Sequence, residues 1–274
     1  MLGATEINEL LGRHGLDARK SLGQNFVADP NIVMKIARLA KVGPGDHVVE
    51  IGPGLGALTL ALVDTGADVL AVEKDESLLP VLAEVLASRR ASEVTVVPGD
   101  ALELDWQELL HAADTWALVA NLPYNVAVPL IMGVLERAPM VQRMVVMVQS
   151  EVAERLVAGP GGRTIGIPSI RLAWFASAEL LGTVPPEVFV PRPRVTSALV
   201  GITRRPIPTG RVTESQVMDL VARAYRQRRK MLRSTLGPVV SVDAFERAGV
   251  APTARPEELD VGDWARLAEA VQDA

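Results

Sequence analysis

Short apolar runs recur along most of the chain and alternate with stretches of helical spacing. Five runs lack polar alternation, as is typical of strands buried on both faces of a parallel sheet. They are HVVEIG (47–52), DVLAVE (68–73), EVTVVPG (93–99), WALVAN (116–121) and RMVVMVQ (143–149). Two later segments, ELLGTV and TSALVGI, predict further strands. Strands that alternate with helices imply right-handed crossovers, so the pattern predicts an α/β fold with a Rossmann-like, doubly wound, mostly parallel sheet.

The segments between these strands carry apolar residues at helical spacing. LGALTLALVDTG and ESLLPVLAEVLASRR predict two helices, and Gly66 closes the first, where a helix C-cap is expected. Residues 28–43 predict another helix ahead of the first strand. Asp29 is its expected N-cap, Pro30 its first residue, and Gly43 lies just past its expected end.

A change in composition marks the end of this alternating region. RRPIPTG (204–210) contains two prolines and a glycine, which interrupt regular elements. Beyond it, residues 213–236 predict one long helix with Thr213 as a candidate cap, and VDAFERAGV and RPEELDVGDWARLAEAVQ predict shorter helices. We therefore expect two domains, an α/β domain over residues 1–208 and a small all-helical domain over residues 209–274.

The composition removes several kinds of chemistry from consideration. A chain of 274 residues that is 49% hydrophobic can bury a sizeable core, which argues against disorder. It has no cysteine, and its three histidines are scattered singly, so we expect no disulfide, no thiolate nucleophile and no metal site. No apolar run reaches the length of a membrane span, and acids occupy the N-terminal stretch, so we expect a cytoplasmic protein without a targeting segment.

Charge is distributed unevenly along the chain. The formal net charge of -5 argues against a general affinity for polyanions. Yet six bases fall within eleven residues that contain no acid. This basic cluster comprises Arg223, Arg226, Arg228, Arg229, Lys230 and Arg233. One basic surface on an acidic protein is typical of nucleic-acid binding, although an isolated run of charges is more often simply a solvated helix.

Glycines follow directly on the first predicted strand. EIGPGLGALT (50–59) places Gly52, Gly54 and Gly56 on the turn into the next helix, with the spacing G-x-G-x-G. Dinucleotide sites have G-x-G-x-x-G and hold a pyrophosphate at the helix N-terminus. Glu50 precedes the glycines, where a carboxylate would repel a pyrophosphate and attract a cationic amino-acid or sulfonium ligand.

Two further acids extend this candidate ligand edge. Glu73 ends the second strand, where a carboxylate can accept hydrogen bonds from both hydroxyls of a ribose. Asp100 follows the third strand, where it can accept from the exocyclic amine of an adenine. Each signal alone is as often structural as functional, but successive strand ends favour a ligand with adenosine and no phosphate. S-adenosylmethionine fits these residues better than NAD.

The fourth strand ends in NLPYNV (121–126). Tyr124 offers a flat π face on which a base can stack. Asn121 and the backbone of Leu122 and Pro123 offer two carbonyl acceptors for an exocyclic amine, and Pro123 stiffens the turn. Two acceptors that grip both amine hydrogens would aim the nitrogen lone pair at a methyl donor. Either Tyr124 or Asn121 taken alone is explained more simply, as a partly buried aromatic residue or a helix cap.

NLPYNV resembles the catalytic motif of the ribosomal RNA adenine N6,N6-dimethyltransferases. Further motifs of that family follow in order over nearly the whole chain: KSLGQNFV (20–27), EIGPGLGALT, GDAL, PPEVFVPRPRVTSALV (185–200) and RQRRKMLRSTL (226–236). The resemblance is to the small-subunit type, which dimethylates two adjacent adenosines near the 3′ end of 16S rRNA. It implies a class I methyltransferase that uses S-adenosylmethionine, releases S-adenosylhomocysteine and acts on the immature small ribosomal subunit.

The resemblance also implies roles for individual residues. Residues 1–45 would cover the cofactor, Tyr124 would stack on the target base, and Phe189 would supply a second face. Arg192 and Arg194 flank Pro193 near the expected target pocket, where they would add phosphate contacts. The resemblance implies cofactor contacts for Asn25, Val27, Gly52, Glu73, Asp100 and Asn121, and the residues at the strand ends add Glu50, Gly54, Gly56 and Ala101 as candidates.

Two positions depart from the family pattern. Val27 replaces the usual leucine, a change that keeps a backbone contact. TIGIPS (164–169) lacks the aromatic residue that many relatives carry before the glycine, which leaves substrate contacts there open.

Several alternatives remain. A dimethylase of large-subunit (23S) rRNA is a close rival, although RRKMLRSTL and GPGGRT look more like the small-subunit type. A DNA adenine methyltransferase would need a larger target-recognition region. The protein could also be a ribosome-assembly factor whose methylation is incidental, whereas the glycine spacing and Glu50 oppose a dehydrogenase. We expect no membrane and no DNA as partners, and nothing in the sequence requires more than a monomer.

Overall fold

A computed structural model describes residues 2–19 and 22–273. Lys20 and Ser21, the first two residues of the KSLGQNFV motif, lie outside the described residues. The helices are α1 (Ala4–Arg13), α2 (Pro30–Ala40), α3 (Ala57–Val63), α4 (Leu79–Ser88), α5 (Trp106–Leu109), α6 (Ala127–Arg137), α7 (Ser150–Leu156), α8 (Ile167–Phe175), α9 (Glu214–Tyr225), α10 (Leu232–Leu236), α11 (Val242–Ala248) and α12 (Val261–Gln272). The strands are β1 (Phe26–Val27), β2 (His47–Ile51), β3 (Asp68–Glu73), β4 (Thr95–Pro98), β5 (Trp116–Asn121), β6 (Val141–Gln149), β7 (Ala176–Val184), β8 (Phe189–Val190) and β9 (Ser197–Arg204). Among these elements, no helix is both long and apolar enough to cross a membrane.

Within the described chain, seven strands form one sheet in the order β4-β3-β2-β5-β6-β9-β7. The pairs β2 with β3, β3 with β4, β2 with β5, and β5 with β6 are parallel, and β6 pairs with β9 antiparallel. The chain therefore builds the sheet outward from β2 through β3 to β4, and then in the opposite direction from β5. This arrangement confirms the predicted α/β fold, and the five predicted strands correspond to β2 through β6. Burial on both faces is wrong for β4, which lies at the edge of the sheet and has only exposed and half-buried residues.

Burial on both faces explains why the central strands lack polar alternation. In β5 every residue from Trp116 to Ala120 is buried, and in β2 every residue from Val48 to Ile51. Residues of α1 to α4 share one hydrophobic core with residues of β2, β3 and β5. The central strands are therefore mostly apolar, and the polar residues of β2 and β5 lie at or next to the strand ends, with Glu50 as a buried carboxyl one residue before the end of β2.

Helix α2 begins as the sequence predicts and ends earlier. The Asp29 side chain accepts a hydrogen bond from the Asn31 N–H at 2.8 Å, which caps the helix, and Pro30 is its first residue. The helix ends at Ala40, where Lys41 with φ of 50° takes the left-handed cap position. Gly43 lies beyond the helix end as predicted, but the left-handed cap position itself belongs to Lys41 and not to a glycine.

The chain divides into two compact units. The first consists of Met1–Ala153 and Glu179–Arg204, and the second of Glu154–Ala178 and Arg205–Ala274. The second unit thus resumes at Arg205, ahead of the expected start at 209, and also includes residues 154–178. Ile165, Ile170 and Trp174 from that segment are buried in the same hydrophobic core as the helices of the C-terminal region, which explains their place in this unit.

The long helix predicted over residues 213–236 is wrong. Thr213 does cap α9, but this helix ends at Tyr225, and turns separate it from α10. The N–H groups of Leu232 and Arg233 donate to the carbonyls of Ala254 and Pro252, at 2.8 and 2.9 Å. Because these donors bond to a distant loop, they are not available for a continuous helix.

Candidate active site

A cavity opens at the carboxyl ends of β2, β3 and β5. Ile51 of β2 is level with Val72 of β3 and with Ala120 of β5, so the residues that follow these three meet at one edge. The strand order reverses between β2 and β5, which is where open α/β sheets bind ligands. The cavity is lined by ten of the predicted site residues: Asn25, Val27, Glu50, Gly52, Gly54, Glu73, Asn121, Leu122, Pro123 and Tyr124.

Glu50 is a buried carboxyl at the end of β2. Its side chain is 1% exposed, and its Oε2 has no hydrogen-bond partner within the described chain. Burial raises the pKa of Glu50 to about 8, and the neighbouring charge of Glu73 contributes in the same direction, against the Thr59 hydroxyl. An unpaired buried acceptor is costly, so this site favours a ligand that brings a cation or hydrogen-bond donors.

Glu73 is held by two backbone N–H groups. Its Oε2 accepts from Gly54 at 3.0 Å and its Oε1 accepts from Asp75 at 2.8 Å. Burial raises the pKa of Glu73, and the two backbone hydrogen bonds oppose that rise. Each carboxylate oxygen has capacity for a further hydrogen bond, so Glu73 is an oriented acceptor that can take a pair of hydroxyls.

Two of the three glycines lie on the cavity and have different surroundings. Gly52 has φ of 71°, and a Cβ built there would meet no atom within 4 Å. The backbone at Gly52 is therefore open to close approach by a ligand. Gly54 has φ of 57°, and a Cβ there would lie 3.0 Å from the Phe26 ring.

Gly56 does not line the cavity. It precedes α3 with φ of 89°, and a Cβ there would lie 3.0 Å from Leu82 Cδ1. Backbone conformation and packing against α4 therefore account for this glycine without a ligand.

Asp100, Ala101 and Phe189 are also absent from the cavity lining. Asp100 Oδ2 accepts from Lys74 Nζ at 2.5 Å. Partial burial alone would raise the pKa of Asp100, but the bonds from Lys74 and from the Leu102 N–H hold it below its usual value. Ala101 is buried, and Phe189 is buried in β8, where it pairs with Val27 of β1.

Asn121 is oriented by a contact far away in the sequence. Its Nδ2 donates to the Asn25 carbonyl at 2.9 Å. The amide's donor end is thereby occupied, which leaves Oδ1 as an acceptor. In the same loop, the Pro123 carbonyl accepts from the Val126 N–H at 3.1 Å, so the Leu122 carbonyl is the backbone acceptor left over. The predicted pair of amine acceptors is thus Asn121 Oδ1 and Leu122 O.

Tyr124 is tethered at its hydroxyl. The hydroxyl lies 2.7 Å from Ser197 Oγ, and Ser197 is fully buried at the start of β9, level with Gln149 at the end of β6. This bond fixes the ring above the edge of the sheet. Ser197 was not among the predicted site residues, although it lies within the family motif over 185–200. Asp75, a buried acid two residues beyond Glu73, was not among them either.

The basic cluster lies in the second compact unit. The guanidinium of Arg228 is hydrogen-bonded within the protein. Its Nε donates to Glu257 at 2.7 Å and its Nη2 donates to the Arg163 carbonyl at 2.9 Å. The other members are exposed and form no ion pair within the described chain: Arg223, Arg226, Arg229, Lys230 and Arg233. In the first unit, Arg192 is paired with Glu187 and Arg194 is exposed.

The fold is that of the class I methyltransferases. Two solved structures resemble it: the 23S rRNA methyltransferase ErmE, with a TM-score of 0.71, 24% identity and coverage of 90% of this chain and 100% of that chain, and a dimethyladenosine transferase from Plasmodium falciparum, with a TM-score of 0.76, 22% identity and coverage of 87% and 94%. At these identities the likeness supports the fold alone.

Sequence comparison assigns the family. The chain matches the family described as Ribosomal RNA adenine dimethylase over residues 15–273, and it belongs to that family. It is 48% identical over 287 residues to the Ribosomal RNA small subunit methyltransferase A of Cutibacterium acnes, with coverage of 100% of this chain and 95% of that protein.

The raised pKa of Glu50 predicts a pH dependence of stability. The folded carboxyl keeps its proton up to about pH 8, whereas the usual value is 4.5, so the folded state binds more protons between these values. This contribution is complete below about pH 4.5 and is lost as the pH rises through about 8. Glu50→Gln should remove it, which amounts to at most about 5 kcal/mol. Urea unfolding at several pH values from 5 to 8.5 gives the free energy of unfolding of both proteins, and its slope against pH should be less negative for Glu50→Gln.

The matched control is Glu93→Gln, which changes an exposed carboxyl in the same unit. This variant should follow the pH profile of the unmodified protein. If the free energy of unfolding had the same slope against pH in Glu50→Gln and in the unmodified protein, the raised pKa of Glu50 would be contradicted.

Proposed function

We propose that this protein is a 16S rRNA adenine N6,N6-dimethyltransferase that modifies two adjacent adenosines near the 3′ end of small-subunit rRNA. The observation that carries the proposal is the acceptor pair Asn121 Oδ1 and Leu122 O beside Tyr124, at the same cavity as Glu50 and Glu73. Family membership supports adenine in ribosomal RNA as the substrate, and the similarity to a small-subunit methyltransferase favours 16S over 23S rRNA.

The cavity residues fit S-adenosylmethionine. Glu73 has acceptor capacity for the ribose hydroxyls, and the Gly52 backbone is open to close approach. Glu50 is a buried carboxyl whose Oε2 has no partner in the described chain, and a cationic amino-acid end beside it would favour its ionised form. Asn25, Val27 and Gly54 line the same cavity and are proposed as further contacts, whereas Asp100 and Ala101, for which contacts were also expected, lie outside its lining. When bound, S-adenosylmethionine supplies a methyl group on a sulfonium and leaves as S-adenosylhomocysteine, so the transfer requires no metal ion.

The chain's own part in the transfer is to orient the amine. The lone pair of an adenine amine is delocalised into the ring, so the nitrogen is a poor nucleophile. Asn121 Oδ1 and Leu122 O accept its two hydrogens and favour a pyramidal nitrogen, whose lone pair then points along the line of transfer. Tyr124 stacks on the base. Phe189 is buried in β8 outside the cavity lining, so the second face expected from it has no support in this geometry. Once it carries the new methyl group, the nitrogen is cationic and acidic and would release one proton to water, so no strong general base is needed.

The proposed substrate is the immature small ribosomal subunit. The exposed members of the basic cluster, with Arg192 and Arg194, would contact phosphates, and recognition would rest on RNA shape and splayed bases. Arg228 would act indirectly, since its guanidinium is bonded within the protein. We further propose that the protein works as a monomer in the cytoplasm and does not act on DNA.

Methylation of isolated ribosomal particles tests the proposal. The purified protein, immature small subunits and methyl-labelled S-adenosylmethionine should yield labelled dimethyladenosine on digestion of the 16S rRNA. The large subunit and DNA serve as parallel substrates. Label that appeared only in large-subunit RNA or in DNA would refute the substrate.

Two substitutions at Tyr124 separate its stacking from its tether. Tyr124→Ala should lower turnover by about 5- to 150-fold, which corresponds to a stacking contribution of ~1–3 kcal/mol. Tyr124→Phe keeps the ring and loses only the bond to Ser197, so its loss should be less than tenfold. Single-turnover rates give turnover, and calorimetry gives cofactor affinity, which both variants should retain. Full activity of Tyr124→Ala would exclude the stacking role.

The basic cluster should determine how RNA affinity depends on salt. The triple variant Arg229→Gln, Lys230→Gln, Arg233→Gln should bind subunits more weakly, and the slope of log K against log salt should become shallower by about 2–3. The matched control is Arg211→Gln in the same unit, because Arg211 is exposed but already paired with Asp273. An unchanged slope in the triple variant would place the RNA surface elsewhere.

A further inference from the structure

Asp75 is a buried carboxylate that the proposed mechanism does not use. It is 4% exposed and accepts four hydrogen bonds from three residues. Its Oδ1 accepts from Arg19 Nη1 at 3.1 Å and from the Ser77 N–H and hydroxyl at 3.1 and 2.6 Å. Its Oδ2 accepts from Gln24 Nε2 at 2.7 Å. Burial alone would raise the pKa of Asp75, but the bonds from Ser77, Gln24 and Arg19 hold it below its usual value, so the group is ionised at neutral pH.

One side of Asp75 leads to the amine acceptors. Gln24, held by Asp75 at its Nε2, accepts the Arg19 N–H at its Oε1 at 2.7 Å. The next residue is Asn25, whose carbonyl accepts Asn121 Nδ2. The loop also packs against the NLPYNV turn, since a Cβ on Gly23 would lie 3.1 Å from Pro123 Cβ. The position of Gln24 therefore determines where the Asn25 carbonyl holds the Asn121 amide.

The other side of Asp75 leads to the cofactor edge. Its own N–H donates to Glu73 Oε1 at 2.8 Å. The backbone at Asp75 is itself ordered by the side chain, which caps the turn that follows by accepting the Ser77 N–H. One residue thus touches both the proposed ribose acceptor and the loop that orients Asn121.

We infer that Asp75 is a positioning residue for methyl transfer, which through Gln24 and Asn25 aligns the Asn121 acceptor with the cofactor edge at Glu73. This inference rests on the proposed function, because it assigns to Asp75 the alignment of the two reactants. Asp75 touches neither reactant itself. Its effect depends on the hydrogen bond that Gln24 Nε2 donates to Asp75 Oδ2. Substitutions at both positions can exchange the donor and the acceptor of this bond.

Reversal of this match tests the inference. Asp75→Asn keeps a helix-capping side chain but presents an NH₂ to the NH₂ of Gln24, and rotation of the Gln24 amide would only transfer the conflict to the Arg19 N–H. Gln24→Glu places two carboxylates against each other. The double variant restores the match, because the new amide at position 75 then donates to the new carboxylate at position 24, whose other oxygen accepts the Arg19 N–H.

Each single variant should weaken S-adenosylmethionine binding by about tenfold, which is the loss of one hydrogen bond to a charged group, and should also lower kcat. The double variant should return to within about threefold of the unmodified protein in both quantities. Calorimetry gives the Kd, and single-turnover methylation gives the rate. Losses that simply multiply in the double variant would overturn the inference.

A readout without ligand separates this inference from the proposed function. Amide hydrogen exchange over residues 22–27 should speed up in both single variants and slow again in the double variant. The matched control is Asp105→Asn, another helix-capping aspartate, which accepts the Gln107 N–H at 2.9 Å away from the cavity and should bind cofactor normally. Variants that lost thermal stability yet kept Kd and exchange unchanged would show that Asp75 is only structural.

The two hypotheses can therefore fail separately. Methylation of a different nucleic acid would refute the proposed substrate and leave the Kd and exchange comparison intact. If Asp75→Asn does not fold, Gln24→Glu disturbs the same contact at a residue that is only half-buried. Unaltered cofactor affinity in Gln24→Glu would refute the inference.

Discussion

Backbone hydrogen bonds that hold β2 level with β3 on one side and with β5 on the other decide where the reactive groups lie. Because the three strands are parallel and end together, Gly52, Glu73 and Asn121 come side by side although they are up to 69 residues apart in the chain. A shift of register would move these residues along the edge and turn alternate side chains to the other face. The site therefore depends first on sheet register and only then on individual side chains.

Electrostatics add a second requirement at this edge. Glu50 and Glu73 are both buried, and burial raises the pKa of each. Their environment disfavours negative charge, an effect that a cationic, hydroxyl-bearing ligand would offset. The exposed bases lie in the second unit instead. An acidic cofactor edge and a separate basic surface suit a protein that holds a small cation and a large polyanion at the same time.

Much of the fold could be predicted from local pattern. The five central strands, the cap of α2 by Asp29 and the residues at the strand ends follow from short-range rules of periodicity and capping. The break after Tyr225 could not be predicted from local pattern. The N–H groups of Leu232 and Arg233 donate to carbonyls about twenty residues away, and only folding brings these groups together. The sequence placed residues 154–178 in the first domain for the same reason, since only the assembled core shows that Trp174 is buried with the second unit.

By itself, the sequence determined the class of fold, the residue types at the sheet edge and the family to which the chain belongs. Tertiary structure alone decided how those residues are used. It showed that Gly56 serves helix packing, that Asn121 presents its oxygen because Asn25 holds its nitrogen, and that Tyr124 is tethered to Ser197. The physical reason is that periodicity and capping act between neighbours in the chain, whereas the orientation of a side chain is set by partners that only folding brings into contact.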